Sequence, residues 1–121
     1  MSEPAHVLVV EDSPLVSGAM RILFENANRR VSIASSVAEA RAIGTSDPAA
    51  LVLLDLTLPD GDGLAVVEPL LTAGCGAVVA VTGHDDAETR ARCLSAGCVD
   101  VLVKPVPARE LIAWSERWLD V

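Results

Sequence analysis

Apolar residues in this chain cluster into short runs separated by longer stretches of helical period. Four runs stand out, Val7 to Val10, Leu51 to Leu54, Ala77 to Val81 and Val99 to Val103, and Val31 to Ser35 forms a fifth, weaker one. Three of them are nearly unbroken Val and Leu. That is how strands read when both faces of a parallel sheet are covered, because neither face can then be polar. The stretches between carry helix start signals. Ser13-Pro14 offers an N-cap followed by proline at the first helical position, and Leu15, Ala19, Ile22 and Leu23 then share one face. Ser36 with Glu39 has the capping-box spacing, and Asp85 with Glu88 has the related acidic form. Pro107 opens a last helix with Glu110 in its first turn. A third helix is expected to begin near Gly63 or Leu64, with Pro69 ending its first turn or kinking it.

Five strands alternating with five helices fill residues 1–121 and leave no linker or repeat, so one domain is expected. The simplest fold for that alternation is α/β, a doubly wound five-stranded parallel sheet. Ligand sites in such sheets lie at the carboxyl ends of the strands, where the strand order reverses. With 121 residues, 51% of them apolar, the chain is long enough to bury a core of its own.

Charge narrows the function classes. A formal net charge of −8 repels phosphate backbones, and one Phe, two Trp and no Tyr give little to stack bases on, so direct nucleic-acid binding is not expected. Cys75, Cys93 and Cys98 are odd in number and lack C-x-x-C spacing, which points away from a disulfide framework or a zinc site and towards reduced thiols. The first residues lack the basic start and apolar stretch of a signal peptide, and no apolar run approaches membrane-spanning length. A soluble cytoplasmic protein with no membrane partner is the expectation.

Chemistry-bearing residues fall at the expected strand ends: Glu11-Asp12 after the first, Asp55 after the third, Thr82 after the fourth and Lys104-Pro105 after the fifth. Taken singly, an acidic pair is ordinarily a solvated loop. Brought together, three carboxylates repel one another unless a hard cation neutralises them, and an oxygen-only set suits Mg²⁺. Lys104 is the only lysine in the chain. Its ammonium can pair with Asp55 at rest and with a phosphoryl oxygen after transfer, while the Thr82 hydroxyl can donate to the same group. The set suits formation of an aspartyl phosphate on Asp55.

The segments Val9-Val10-Glu11-Asp12, Leu53-Leu54-Asp55-Leu56-Thr57-Leu58-Pro59-Asp60-Gly61-Asp62-Gly63, Val81-Thr82-Gly83, and Ala96-Gly97 up to Val103-Lys104-Pro105, in this order and spacing, resemble the receiver domain of two-component response regulators. The resemblance covers essentially the whole chain. It implies a flavodoxin-like sheet of order 2-1-3-4-5 and makes Asp55 the phosphorylation site. Asp12 and Asp55 become direct Mg²⁺ ligands, with the Thr57 carbonyl, and Glu11 acts largely through water. Thr82 and Lys104 take the switch and phosphate-pairing roles. Gly83 and His84 flank the site where, in this family, phosphate lifetime is influenced.

One position departs from the pattern. Receivers commonly carry Tyr or Phe three residues before the lysine, and here that place holds Val101, which has no ring to swing. The implied function is a phosphoacceptor switch rather than an enzyme, with at most self-phosphorylation and self-dephosphorylation chemistry. Its implied partners are a histidine kinase or histidine phosphotransfer protein and a downstream protein. Trp114 and Trp118 lie four apart with Leu111 on one stripe. Core packing is the default reading of that stripe, and an exposed one would suggest a homodimer through the fourth and fifth helices. Two other settings fit the residues: a receiver excised from a hybrid histidine kinase, which Arg92 to Gly97 resembles, or from a multidomain regulator, and a phosphorylation-independent protein-binding module. A haloacid-dehalogenase-type phosphatase needs a second acid two residues after the nucleophile, where this chain has Thr57.

Overall fold

The computed structural model describes residues 4–84 and 86–119. Five strands, β1 (His6–Val10), β2 (Arg30–Ala34), β3 (Leu51–Asp55), β6 (Ala77–Thr82) and β7 (Asp100–Val103), form a parallel sheet in the order β2-β1-β3-β6-β7. Two further strands of two residues each, β4 (Thr57–Leu58) and β5 (Gly61–Asp62), make a small antiparallel hairpin directly after β3. Leaving that hairpin out, the order is the expected 2-1-3-4-5.

The unbroken apolar runs have a direct cause in the pleat. Successive side chains of a strand point to opposite faces, and both faces here are core. Leu8, Val10, Val52, Leu54, Val78, Ala80 and Val101 belong to one buried cluster, and Val7, Val9, Leu51, Leu53, Val79 and Val81 belong to the other. Helices α2 (Val37–Ser46), α3 (Val67–Ala73) and α4 (Ala87–Ala96) contribute Ala40, Leu70 and Cys93 to the first cluster. Helices α1 (Pro14–Asn26) and α5 (Ala108–Leu119) contribute Phe24 and Leu111 to the second. The sheet is therefore covered on both sides, as its composition requires.

Helix starts follow the local chemistry with small displacements. The Ser36 hydroxyl accepts from the Glu39 N–H at 3.1 Å, while the Glu39 carboxylate accepts from the N–H of Ser35, at 2.7 Å, so the box closes one residue further back. The α4 cap is Asp86, whose carboxylate accepts from the Thr89 N–H at 2.7 Å, and the expected cap Asp85 lies outside the described residues. A 3-10 turn over Gly63–Val66 leads into α3, so Pro69 sits in the first turn of that helix, where proline is tolerated.

The apolar stripe expected for α1 is its core face only at Leu23, which packs against the second cluster. Leu15 is 84% exposed and Ile22 62% exposed, whereas Phe24 and Ser17 are buried. Apolar residues wrap more than half of α1, and the side carrying the bulkiest of them, Phe24, is the one packed on the sheet. Trp114 and Trp118 are half-buried against the core on the α5 side, and the Trp114 Nε1 donates to the Asp100 carboxylate at 3.1 Å. Their ring centroids lie 6.1 Å apart. His6 is a buried structural residue, its Nε2 2.8 Å from the Ser32 hydroxyl. All three cysteines are free and buried. No helix among the described residues is long and apolar enough to cross a membrane.

Gly44 is the tightest point between α2 and its neighbours. A Cβ there would run into the Leu70 Cδ2 and come within 3.3 Å of the Leu8 Cδ2, and both leucines are fully buried. Alanine would gain about 1 kcal/mol of helix propensity, but overpacking a filled core costs roughly 1 to 3 kcal/mol. Gly44→Ala is therefore expected to destabilise the fold by about 1 kcal/mol, read as a lowered urea midpoint. A raised midpoint would show that Leu70 has room to yield.

Candidate functional site

Register brings the singled-out residues to one edge of the sheet. Val10 pairs with Leu54, Asp55 with Val81, and Thr82 with Val103, so β1, β3, β6 and β7 end nearly level. Each chain then leaves the sheet with a polar residue. The Glu11 N–H is held by the Ala34 carbonyl of β2 at 2.9 Å, and the Lys104 N–H by the Thr82 carbonyl at 2.8 Å. These backbone bonds fix where the two side chains start.

A cleft of about 400 Å³ opens over this edge, bordered by Glu11, Asp12, Asp55, Thr57, Thr82, Gly83, His84 and Lys104, with Ser13 and Val16. Carboxylate oxygens of Glu11, Asp12 and Asp55 all lie within 4.8 Å of one another. The Lys104 ammonium reaches between two of them, 3.4 Å from the Asp55 Oδ2 and 3.5 Å from the Glu11 Oε1. Asp55 also accepts the Thr57 N–H on its Oδ1 at 3.1 Å, which fixes the rotation of the carboxylate. The Thr82 hydroxyl accepts the His84 N–H at 3.1 Å, using a lone pair and leaving its proton to donate elsewhere.

Electrostatics at the cleft are strained in one direction. Glu11 is 5% exposed. Burial pushes its carboxyl above the usual carboxylate range, and the charge of Asp55 pushes the same way, against the Ser13 N–H and the Lys104 ammonium. One ammonium therefore does not balance three carboxylates. A divalent cation of oxygen preference would, and the donor set fits Mg²⁺, which takes few protein oxygens and keeps several waters. Chemically, the cleft joins a carboxylate nucleophile held by two partners, a cation site, a hydroxyl donor and a compact ammonium.

Two residues singled out in the sequence do not border the cleft. Val101 is 5% exposed, packed into the core on the side of α2, α3 and α4, because the alternation of β7 turns it to that face. Pro105 is exposed and follows Lys104 through a cis peptide bond.

Other contacts had no legible signal. The Ser13 N–H donates to the Glu11 Oε2 at 3.1 Å. The Asp60 carboxylate receives the N–H groups of Val37 and Ala38 at 2.7 and 3.1 Å, and these two bonds hold its carboxyl below the usual range. Asp62 caps the 3-10 turn through the Leu64 N–H at 3.0 Å, and its other oxygen meets the Arg92 guanidinium of α4 at 2.6 Å. Asp60-Gly61 reads only as a turn, and Asp62 and Arg92 stand 30 residues apart.

Residues 7–115 match the family model of the response regulator receiver domain. The transcriptional regulatory protein TorR of the TorCAD operon, from Escherichia coli O157:H7, is 34% identical over 90% of this chain, and the chain spans only 47% of that protein. A CheY-like response regulator receiver domain from Methanospirillum hungatei JF-1 superposes with a TM-score of 0.89 at 28% identity, over 97% of this chain and 94% of that one. The receiver domain of the sensor histidine kinase PA1611 from Pseudomonas aeruginosa PAO1, with a magnesium ion coordinated in its active site cleft, gives 0.85 at 25% identity, over 98% and 99%.

The raised Glu11 carboxyl has a stability consequence with a definite sign. Its folded value lies above its unfolded one, so the metal-free fold loses stability as pH rises from the ordinary glutamate range through the folded value. Glu11→Gln keeps an acceptor for the Ser13 N–H and removes the charge. It is expected to raise the melting temperature in chelator at pH 7 and to flatten that part of the pH profile. A lower melting temperature at pH 7 would contradict the assigned strain.

Proposed function

The chain belongs to the response regulator receiver domains of two-component systems, and from that membership we propose that it is a magnesium-dependent phosphoacceptor switch whose Asp55 takes a phosphoryl group from a histidine kinase or histidine phosphotransfer protein. The observation that carries this reading is the meeting of Glu11, Asp12 and Asp55 within 4.8 Å, with the Lys104 ammonium 3.4 Å from the Asp55 carboxylate. The magnesium in the cleft of the PA1611 receiver supports the assignment of the ion.

Asp12, Asp55 and the Thr57 carbonyl would hold Mg²⁺, with Glu11 behind them, and the ion would supply charge neutralisation at the transferring phosphoryl group. The chain's own groups perform the rest. One oxygen of the Asp55 carboxylate attacks phosphorus, the bond from phosphorus to the donor imidazole breaks, and that nitrogen keeps the electron pair. The product is an acyl phosphate on Asp55. Lys104, already between Glu11 and Asp55, turns to pair with a phosphoryl oxygen. Thr82 donates its free proton to another, and the His84 N–H bond holds the hydroxyl in place meanwhile. The chemistry is confined to the chain's own carboxylate, and its output is an altered binding surface for a downstream protein.

Incubation with radiolabelled acetyl phosphate is expected to label the chain only when Mg²⁺ is present, with the label lost in Asp55→Asn. No labelling of the unaltered chain would leave a binding module without switching, and labelling that persists in Asp55→Asn would move the acceptor to another residue. Lys104→Ala is expected to keep its far-ultraviolet circular dichroism while its affinity for beryllofluoride falls about tenfold, the order of one charge-assisted hydrogen bond. An unchanged affinity would remove Lys104 from its pairing role.

A further inference from the structure

Helix α4 is the most loosely held element beside the site. Of its ten residues only Cys93 is buried, and seven are exposed. Elements with so little buried surface open and shift at low cost. Thr82 stands one short loop before it, and Val101 shares a buried cluster with its Cys93. The Thr82 hydroxyl is turned to its own loop at the His84 N–H, and Val101 is a stiff side chain enclosed in the core.

The hairpin β4–β5 offers a further path, made of polar contacts. At its base, Gly63 lies against the backbone of Asp55 so closely that a Cβ would collide with the Asp55 carbonyl oxygen, and the Gly63 N–H is bound to the Leu56 carbonyl at 2.9 Å. Its first strand begins at Thr57, whose N–H is bound to the Asp55 carboxylate. Its turn is pinned by Asp60 to the two N–H groups at the start of α2. Its last residue, Asp62, pairs with Thr57 across the hairpin and reaches Arg92 in the middle of α4 at 2.6 Å. A cavity of about 280 Å³, bordered by Leu58, Thr82 and Thr89, separates the hairpin from the helix, so the ion pair bridges a gap rather than a packed seam.

We propose that the Asp62–Arg92 ion pair is the connection through which occupancy of the Asp55 site anchors α4. This rests on the phosphoacceptor reading above. Filling the cleft fixes Thr57, and with it the hairpin that Asp60 holds at its far end. Asp62 then becomes a rigid anchor, and Arg92 transfers that rigidity to the helix. Both side chains are about half exposed, so the pair is weak in absolute terms. A weak tie is enough to bias an element that has one buried residue.

Hydrogen exchange of the full chain tests this, read at the amides of Ala87–Ala96 and at those of Thr57 and Gly83, with and without Mg²⁺ and beryllofluoride. Asp62→Asn keeps the acceptor for the Leu64 N–H and removes the charge, and Arg92→Gln removes the other partner. In the unaltered chain, filling the site is expected to slow exchange both at the site and in α4. Either variant should shrink the α4 slowing by about two- to fivefold, the order of one exposed ion pair. Combining them should shrink it no further, and Arg92→Lys should restore most of it. A pair that merely stabilises the helix would speed exchange equally in both states and leave the difference intact, which would overturn the proposal. So would additive losses in the double variant. If the site amides of the unaltered chain do not respond at all, the phosphoacceptor reading falls and this connection with it. If they respond while both variants keep the full α4 slowing, only the connection falls.

Discussion

Three carboxylates share one cleft at the end of the sheet, with a single ammonium between two of them. That arrangement is costly: burial, and after it the charge of Asp55, pushes the Glu11 carboxyl upward, and it persists because the strands that deliver it are locked by the core beneath. The imbalance is also what makes the cleft useful. A site short of positive charge suits a divalent ion, and under the proposed function that ion would let Asp55 take on a further negative group. Stability and readiness to react are opposed at Glu11, and the sheet absorbs the difference.

The sheet can absorb it because of its register and its two-sided burial. β1, β3, β6 and β7 are flanked by core on both faces, and their carboxyl ends fall nearly level. A one-residue slip in any of them would turn its apolar side chains to the wrong faces. The same packing that selects the register thus sets the separation of Asp55 from Lys104, on strands that are not adjacent in the sheet. Positioning of the site is a by-product of packing the core, and it requires no special loop.

Response must come from parts that the core does not lock. The hairpin after β3 and helix α4 meet those terms, one being tied to Asp55 through backbone contacts and the other holding a single buried residue. Val101 sits in the packed region and brings no ring there. The polar contacts from Asp55 through the hairpin to Arg92 run along the surface and need no moving ring.

Much of this was written in the chain order. Continuous Val and Leu runs announced a sheet buried on both faces, caps at Ser13 and Ser36 marked two helix starts, and polar residues immediately after the runs located the cleft. These features are local: each depends on a period, a cap or a neighbour within a few residues, so composition and spacing determine them. Tertiary structure decided the rest. Which side of α1 faces the sheet was settled by how Phe24 packs, leaving Leu15 and Ile22 at the surface. Asp60 at the start of α2 and Asp62 against Arg92 are pairings across 22 to 30 residues, and polar side chains on exposed loops carry no periodic mark of their partners. Only a folded chain, with helices docked at fixed places on the sheet, brings such groups within reach of one another.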